Sequence, residues 1–321
     1  MSEVRLGFIG AGGIARRSLA PAAHAAEGVV VAAAAARDQG RAEELGPLRA
    51  YDDYAALLAD DDVDLVYVAL DNGGHLPWTL AALEAGKHVL CEKPLALDPA
   101  DLGLMRAAAA RAGLLLVEAF WYRWHPRTRR LEELVTEGAL GPLTRVDTDF
   151  TFWTSPDDDP ATHYRLDPAR GGGGLYDVGC YALSAAHLAL GPLEARSGTA
   201  RRGPSGVDLE LTGVLRSPAG AEAHIRCGIS GEPRQQIAVT GEAARLEFGD
   251  PAFTSIFAPS GLTITTPDGA VRTEEFAPVD PYKLMIEAVA ARVRGEEAFL
   301  PGLDHSAQVA ESTAALFRLV A

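Results

Sequence analysis

From Val4 to Glu118, short apolar runs alternate with longer stretches in which apolar positions recur at helical spacing. Residues 4–9, 29–35, 65–70, 88–91 and 114–118 read as buried strands, and the stretches near 13–26, 39–45, 54–59, 75–85 and 99–111 read as helices. Such alternation is the signature of repeated βαβ units, so a doubly wound parallel sheet is predicted. Beyond Pro126 the period changes. A helix over 127–136 leads into Thr144-Arg145-Val146-Asp147-Thr148-Asp149-Phe150-Thr151-Phe152, whose period of two predicts a half-buried sheet face. Further strands are expected over 208–216, 221–229, 236–240, 244–248 and 262–266, broken by turns such as Ser217-Pro218-Ala219-Gly220 and Pro267-Asp268-Gly269. Helical pattern returns over 282–294 and 306–319. The expected architecture is an α/β Rossmann domain over 1–123, followed over 124–321 by an α+β domain with a large open, mostly antiparallel sheet.

A chain of 321 residues exceeds the usual size of one hydrophobic core, which agrees with two domains. Forty-four acidic against twenty-nine basic residues give a net charge of −15, the wrong sign for general attraction to nucleic acid or an anionic membrane. An anionic ligand therefore needs a local cationic pocket. Cys91, Cys180 and Cys227 are widely spaced and lack any CxxC pattern, so neither a disulfide framework nor a metal site is expected. No signal peptide and no spanning helix are legible, and a cytoplasmic protein is expected. An open sheet with alternating apolar residues on an exposed face needs a cover. A homodimer or homotetramer formed through that sheet is expected.

The first candidate chemistry lies between the first strand and the first helix. Gly10-Ala11-Gly12-Gly13-Ile14-Ala15 is a G-x-G-x-x-A fingerprint. Gly10 permits the tight turn, Gly12 lets backbone approach a pyrophosphate, and Ala15 lets helix and strand pack closely. With Gly13 and Ile14 opening the helix, its unpaired N–H groups face the phosphates. At the end of the second strand the chain reads Ala36-Arg37-Asp38. Arg37 suits adenine and a 2′-phosphate, while Asp38 either caps the next helix or binds a ribose hydroxyl. NADP is favoured, with NAD as the other possibility. Asn72 and His75 follow the third predicted strand at the sheet's carboxyl edge, where ligands gather.

The second candidate is Gly171-Gly172-Gly173-Gly174-Leu175-Tyr176-Asp177-Val178-Gly179-Cys180-Tyr181, an acid and a phenol four residues apart after a glycine run. On a helix, Asp177 and Tyr181 share a face. A nearby cation would make the phenolate accessible, and Cys91-Glu92-Lys93-Pro94 offers one. These motifs occur in order with Glu118-Ala119-Phe120-Trp121-Tyr122-Arg123-Trp124-His125-Pro126, and together they resemble the Gfo/Idh/MocA oxidoreductase family across essentially the whole chain. The tyrosine-ended motif is similar to the branch of dihydrodiol dehydrogenases, NADP-dependent xylose dehydrogenases and glucose-fructose oxidoreductase. Leu70-Asp71 departs from the Thr-Pro common in relatives before the asparagine.

The resemblance implies hydride transfer between a nicotinamide and a secondary alcohol or carbonyl of a sugar, polyol or cyclic diol. It assigns Tyr181 as proton donor or acceptor, Lys93 as its assisting cation and Asp177 as the orienting group, with Glu92 and Lys93 also on the cofactor side. Arg123, His125 and Arg165 either contact substrate or brace the pocket. Trp121, Tyr122, Trp124 and Trp153 either wall it or pack between elements. A ketoreductase acting on a nucleotide-linked sugar or secondary metabolite is the other enzymatic reading. A non-catalytic NAD(P)-binding sensor would have no use for Lys93 and Tyr181 together.

Overall fold

The computed structural model describes residues 3–321, which form two compact units. One holds the chain up to Trp124 together with Asp280–Leu303, and the other holds His125–Val279 with Asp304–Ala321. In the first, β1 (Val4–Ile9), β2 (Val29–Ala35), β3 (Arg49–Tyr51), β4 (Leu65–Val68), β5 (His88–Cys91) and β6 (Leu116–Glu118) form one parallel sheet in the order β3-β2-β1-β4-β5-β6. Helices flank a sheet whose central strands are largely apolar, as parallel strands covered on both faces must be. Leu6, Phe8 and Ile9 of β1 and all of β4 are buried, and Phe8 stacks on its register partner Tyr67 at 5.7 Å. Strand order reverses between β1 and β4, which puts the crevice of a doubly wound sheet beside the turns after these strands.

β3 carries no apolar run and pairs only with β2. An edge strand half exposed to water needs no hydrophobic pattern, which is why sequence periodicity passes over Arg49–Tyr51. The helix Pro281–Val293 lies late in the chain but packs in this first unit, against Ala20–Ala25, and Trp121 stacks on its Tyr282 at 4.5 Å.

The second unit is built on an eight-stranded sheet of β7 (Leu143–Trp153), β8 (Glu194–Arg202), β9 (Asp208–Arg216), β10 (Glu222–Gly228), β11 (Ser230–Gly241), β12 (Arg245–Phe248), β13 (Ser260–Thr265) and β14 (Val271–Phe276), in the order β14-β13-β12-β11-β7-β10-β9-β8. All neighbours run antiparallel except β7 and β10. The two strands that periodicity does not predict, β8 and β14, are again the edges. β11 starts at Ser230 rather than near 236, because its register slips between Ser230 and Arg234 around Pro233, a residue tolerated at such an irregularity.

The period of two in β7 puts Val146, Thr148 and Phe150 on the face covered by the helix Cys180–Leu190: Thr148 Oγ1 donates to the Ala182 carbonyl at 3.2 Å, and Phe150 meets the Tyr181 ring at 5.5 Å. The terminal helix Leu303–Val320 is tied to the same helix through Ser184–His305 and His187–Ser312 contacts of 2.8 and 2.9 Å. The opposite face corrects an expectation, because it is not apolar. Its outward positions carry arginine and carboxylate rows, with pairs Arg145–Asp147 (2.6 Å), Arg216–Glu222 (2.6 Å), Arg226–Glu210 (3.0 Å), Arg234–Asp149 (3.2 Å) and Arg245–Glu247 (2.8 Å). Among the described residues, no helix is long and apolar enough to cross a membrane.

Candidate active site

The turn after β1 is shaped by two glycines for different reasons. Gly10 sits at φ 100°, and a Cβ there would lie 2.5 Å from the Ala69 carbonyl oxygen, so the fold itself demands it. Gly12 has no heavy atom within 4 Å of where its Cβ would stand. Its missing side chain serves no internal packing and leaves backbone open to a ligand. The helix that follows begins with a π turn over Ala15–Leu19, a feature frequent at functional sites, and Ala15 is fully buried against the sheet.

Cations gather at this turn in a chain of net negative charge. Arg37 is exposed at the end of β2. Asp38 is the N-cap of the helix Gln39–Glu43, its carboxylate accepting from Gly40 N at 2.9 Å, so that oxygen is engaged away from any ribose. Arg41, which the sequence reading missed, reaches back to donate to the Ala11 carbonyl at 3.0 Å and so bridges the β2 end to the glycine turn. Its signal in the sequence was only its basic charge, four residues beyond Arg37 in the short helix that follows β2. Burial pushes the Tyr54 hydroxyl up while Arg37 and Arg41 pull it down and Asp71 adds to the rise, so these groups surround one another. The open Gly12 backbone, a helix start and two arginines fit a dinucleotide carrying an extra phosphate.

Beyond β5 the segment Glu92-Lys93-Pro94-Leu95 is pinned on three sides. Tyr67 donates to Glu92 Oε1 at 2.8 Å, His75 Nδ1 bonds the Pro94 carbonyl at 2.8 Å, and Leu95 N donates to Glu118 Oε1 at 2.8 Å. Lys93, half-buried, stands between these anchors. His75 is thus a brace: its ring is 1% exposed, Nε2 faces the Leu70 carbonyl, and burial lowers its basicity so that it stays neutral. A neutral ring donates from one nitrogen, and the 2.8 Å contact marks Nδ1 as that donor. Asn72 opens the short turn Asn72–Gly74 after β4 and is buried. Glu118 opens one of the motifs read from the sequence, whereas Tyr67 carries no sequence signal beyond strand membership.

In the second unit, the helix bearing the acid and the phenol also starts with a π turn, Leu175–Gly179, before continuing as Cys180–Leu190. Asp177 is buried and receives Arg165 Nε on Oδ2 at 2.6 Å. Burial works against the Arg165 charge, but Asp177, with Tyr164 and Tyr181, outweighs it and keeps the guanidinium charged. The Arg165 guanidinium also lies over the Tyr164 ring at 4.7 Å. Tyr181 is 5% exposed, its ring held between Phe150 at 5.5 Å and Phe253 at 5.8 Å. Gly179 is required because a Cβ there would sit 2.8 Å from Cys227 Sγ on β10. The glycine run likewise packs inside its own unit: at Gly172 a Cβ would lie 2.5 Å from the Arg165 carbonyl oxygen, and at Gly174 one would lie 3.1 Å from Gly228 Cα.

The remaining candidates are mostly structural in their surroundings. Arg123 is buried in the first unit with its guanidinium over Phe299 at 5.9 Å, and Trp121, Tyr122 and Trp124 are buried there too. His125 lies in the second unit, where its Nδ1 accepts from Arg127 N at 3.0 Å and caps the helix Pro126–Thr136. Burial and the Arg127 charge push it down to about 4, leaving it neutral with the proton on Nε2, toward Ser260. Arg127 donates to the carbonyls of Gly249, Pro251 and Ala252, which fixes the loop that supplies Phe253 to the tyrosine. Trp153 is exposed. Cys91, Cys180 and Cys227 are buried free thiols.

Comparison with known proteins agrees with this layout. Residues 4–120 match the Gfo/Idh/MocA oxidoreductase family, NAD-binding Rossmann fold, and residues 128–247 match a Gfo/Idh/MocA C-terminal domain. The chain is 41% identical to D-xylose 1-dehydrogenase (NADP(+)) 2 of Haloferax volcanii, covering 91% of this chain and 89% of the relative. It is 34% identical to trans-1,2-dihydrobenzene-1,2-diol dehydrogenase of Bos taurus, covering 70% and 67%. Among solved structures, a 3-ketoreductase from Actinomadura kijaniata in complex with NADP and TDP-benzene superposes with a TM-score of 0.90 at 31% identity, covering 99% of this chain and 98% of that one. The same ketoreductase has been solved with a lysine replaced by alanine or glutamate and with a tyrosine replaced by phenylalanine.

Proposed function

This chain belongs to the Gfo/Idh/MocA oxidoreductase family, and from that membership we propose that it is an NADP(H)-dependent enzyme interconverting a secondary alcohol and a carbonyl on a sugar, polyol or cyclic diol. The observation that carries this reading is the survival of both chemical frameworks: the pinned Glu92–Leu95 segment around Lys93 and the aromatic seat of Tyr181 beside Arg165 and Asp177. A sensor has no need of either. Bound NADP(H) supplies the hydride acceptor or donor. Arg37 and Arg41 would hold its 2′-phosphate, and the backbone at Gly12 and the helix start would take the pyrophosphate. Tyr181 takes the hydroxyl proton in oxidation and returns it in reduction, Lys93 stabilises the phenolate and the reacting oxygen, and Asp177 with Arg165 orients the substrate hydroxyl. That a lysine and a tyrosine were the residues replaced in the related ketoreductase supports giving these two residue types the chemistry.

A ketoreductase acting on a nucleotide-linked sugar is the second reading, favoured by the likeness to the structure holding TDP-benzene. Incubation with NADP+ and D-xylose, other free aldoses or a trans-dihydrodiol, and with NADPH and a nucleotide-linked 3-ketosugar, followed by nicotinamide absorbance, separates the two. Turnover of free sugars or diols is expected. Turnover confined to the nucleotide-linked ketone selects the second reading, and tight NADPH binding with no hydride exchange in the whole panel overturns both in favour of a sensor.

The charged outer face of the second sheet suits a second copy of the chain, since rows of both signs are self-complementary across a two-fold axis. A homodimer, or a tetramer made of two such dimers, is the proposed assembly. Light scattering is expected to give at least twice the 33.8 kDa chain mass at micromolar concentration. The mass should fall as salt rises, because charge pairing is screened. A monomer at low salt overturns the assembly.

A further inference from the structure

The first N–H groups of any helix lack partners within the helix. Where the helix carrying Asp177 and Tyr181 begins, the N-cap residue is Gly174, which has no side chain to supply one. The acceptor comes from 33 positions away: Leu175 N donates to Asp208 Oδ2 at 2.6 Å. Asp208 opens β9, is 1% exposed, and takes a second backbone hydrogen bond from Gly174. Its carboxylate also occupies the space that side chains would fill in the glycine run. A Cβ on Gly173 would overlap Asp208 Oδ1, and one on Gly174 would lie 3.3 Å from Oδ2. Gly173 further sits at φ 115°, which only glycine adopts without strain.

Resting on the function proposed above, we propose that Asp208 is the positioning residue for Asp177 and Tyr181: by gripping the start of their helix from a neighbouring strand, it sets where the acid and the phenol stand. Global stability is a poor reason for this carboxylate to be there. Burial pushes it up to about 6, against the opposing pull of the Leu175 N–H, its own backbone N–H, the Arg202 charge and the Gly174 N–H. Arg202 on β8 and the buried thiol of Cys227 on β10 are the charged and titratable groups that act on it. A carboxyl raised above its unfolded value contributes stability that is full below the ordinary carboxylate range and is lost as pH rises through about 6. At neutral pH its charge is therefore held at a cost to the fold, the circumstance in which a buried ion is retained for placement rather than stability.

Asp208→Asn tests this, because it keeps the shape while removing the charge and replacing one acceptor oxygen with an NH2 group. At pH 7.5 the variant is expected to melt no lower than wild type. Amide exchange over residues 174–183 should speed up roughly tenfold, the helix Pro99–Ala112 should be unchanged, and kcat should fall about tenfold with NADPH Kd within about twofold. A lowered Tm with uniformly faster exchange and unchanged kcat overturns the positioning role. Should the variant not fold, wild type alone decides. Opening returns the carboxyl to water, where it is the stronger acid, so the opening constant of amides 175–177 should rise several-fold from pH 5 to pH 7.5. A flat profile overturns the proposal. Exchange needs no substrate, so if wild type turns over nothing in the panel, the functional reading fails while the exchange result still decides the helix contact.

Discussion

Tyr181→Phe and Lys93→Met are each expected to lower kcat by about 10²–10⁴-fold while leaving NADPH affinity within about threefold and Tm nearly unchanged. The size follows from removing a positioned proton carrier or the cation that assists it. The cleanness follows from the surroundings. The Tyr181 ring keeps its place between Phe150 and Phe253 without the hydroxyl, since those contacts are made by the ring alone. Around Lys93 the chain is held by Tyr67, His75 and Glu118 through Glu92, Pro94 and Leu95, none of which depends on the amine. Methionine keeps an unbranched, flexible side chain of nearly the same length and removes the ammonium group with its charge and its donors. Steady-state kinetics on the best substrate of the panel, nicotinamide fluorescence for cofactor binding and thermal melts check all three parts. Turnover retained in both variants removes Tyr181 and Lys93 from the mechanism. Loss of cofactor binding in Lys93→Met alone makes that lysine a cofactor ligand rather than an assisting cation.

Arg37→Ala is expected to lower kcat/KM for NADP+ by about 10–100-fold and to change kcat/KM for NAD+ by no more than about threefold, because on the proposed binding mode it removes a charge-assisted contact that only a 2′-phosphate would make. Asp38 already caps its helix through Gly40 in the wild type, so the variant is not expected to gain NAD+ use. Arg41→Ala should add to the loss, with a smaller effect, since part of that guanidinium is spent on the Ala11 carbonyl. Equal losses with both cofactors would show instead that Arg37 serves the adenine common to them.

The parts of the fold that were legible in the sequence are those where one physical effect dominates. β1, β2 and β5 are buried on both faces, and apolar runs bounded by turns are enough to find them. β3, β8 and β14 are edges, solvated and paired on one side only, so hydrophobic pattern does not mark them. Period two in β7 located the buried face of the second sheet, but which charges would line the other face depended on register with β10 and β11. The apolar exposed face inferred from alternation is in fact a lattice of ion pairs.

The same division runs through the site. Local chemistry determined the G-x-G turn, the Asp38 cap and the presence of an acid and a phenol four residues apart, because each involves backbone and side chains only a few residues from one another. Contacts between distant segments were decided by tertiary structure alone. Arg41 reaches Ala11 across 30 positions, Tyr67 reaches Glu92 across 25 and Asp208 reaches Leu175 across 33. The glycine run shows the limit most clearly. Nothing local in it says what stands where its side chains are missing, and the strands and loops packed around it put Asp208, the Arg165 carbonyl and Gly228 there. A sequence records which residues lack side chains; only the packed chain records what stands in the space they leave.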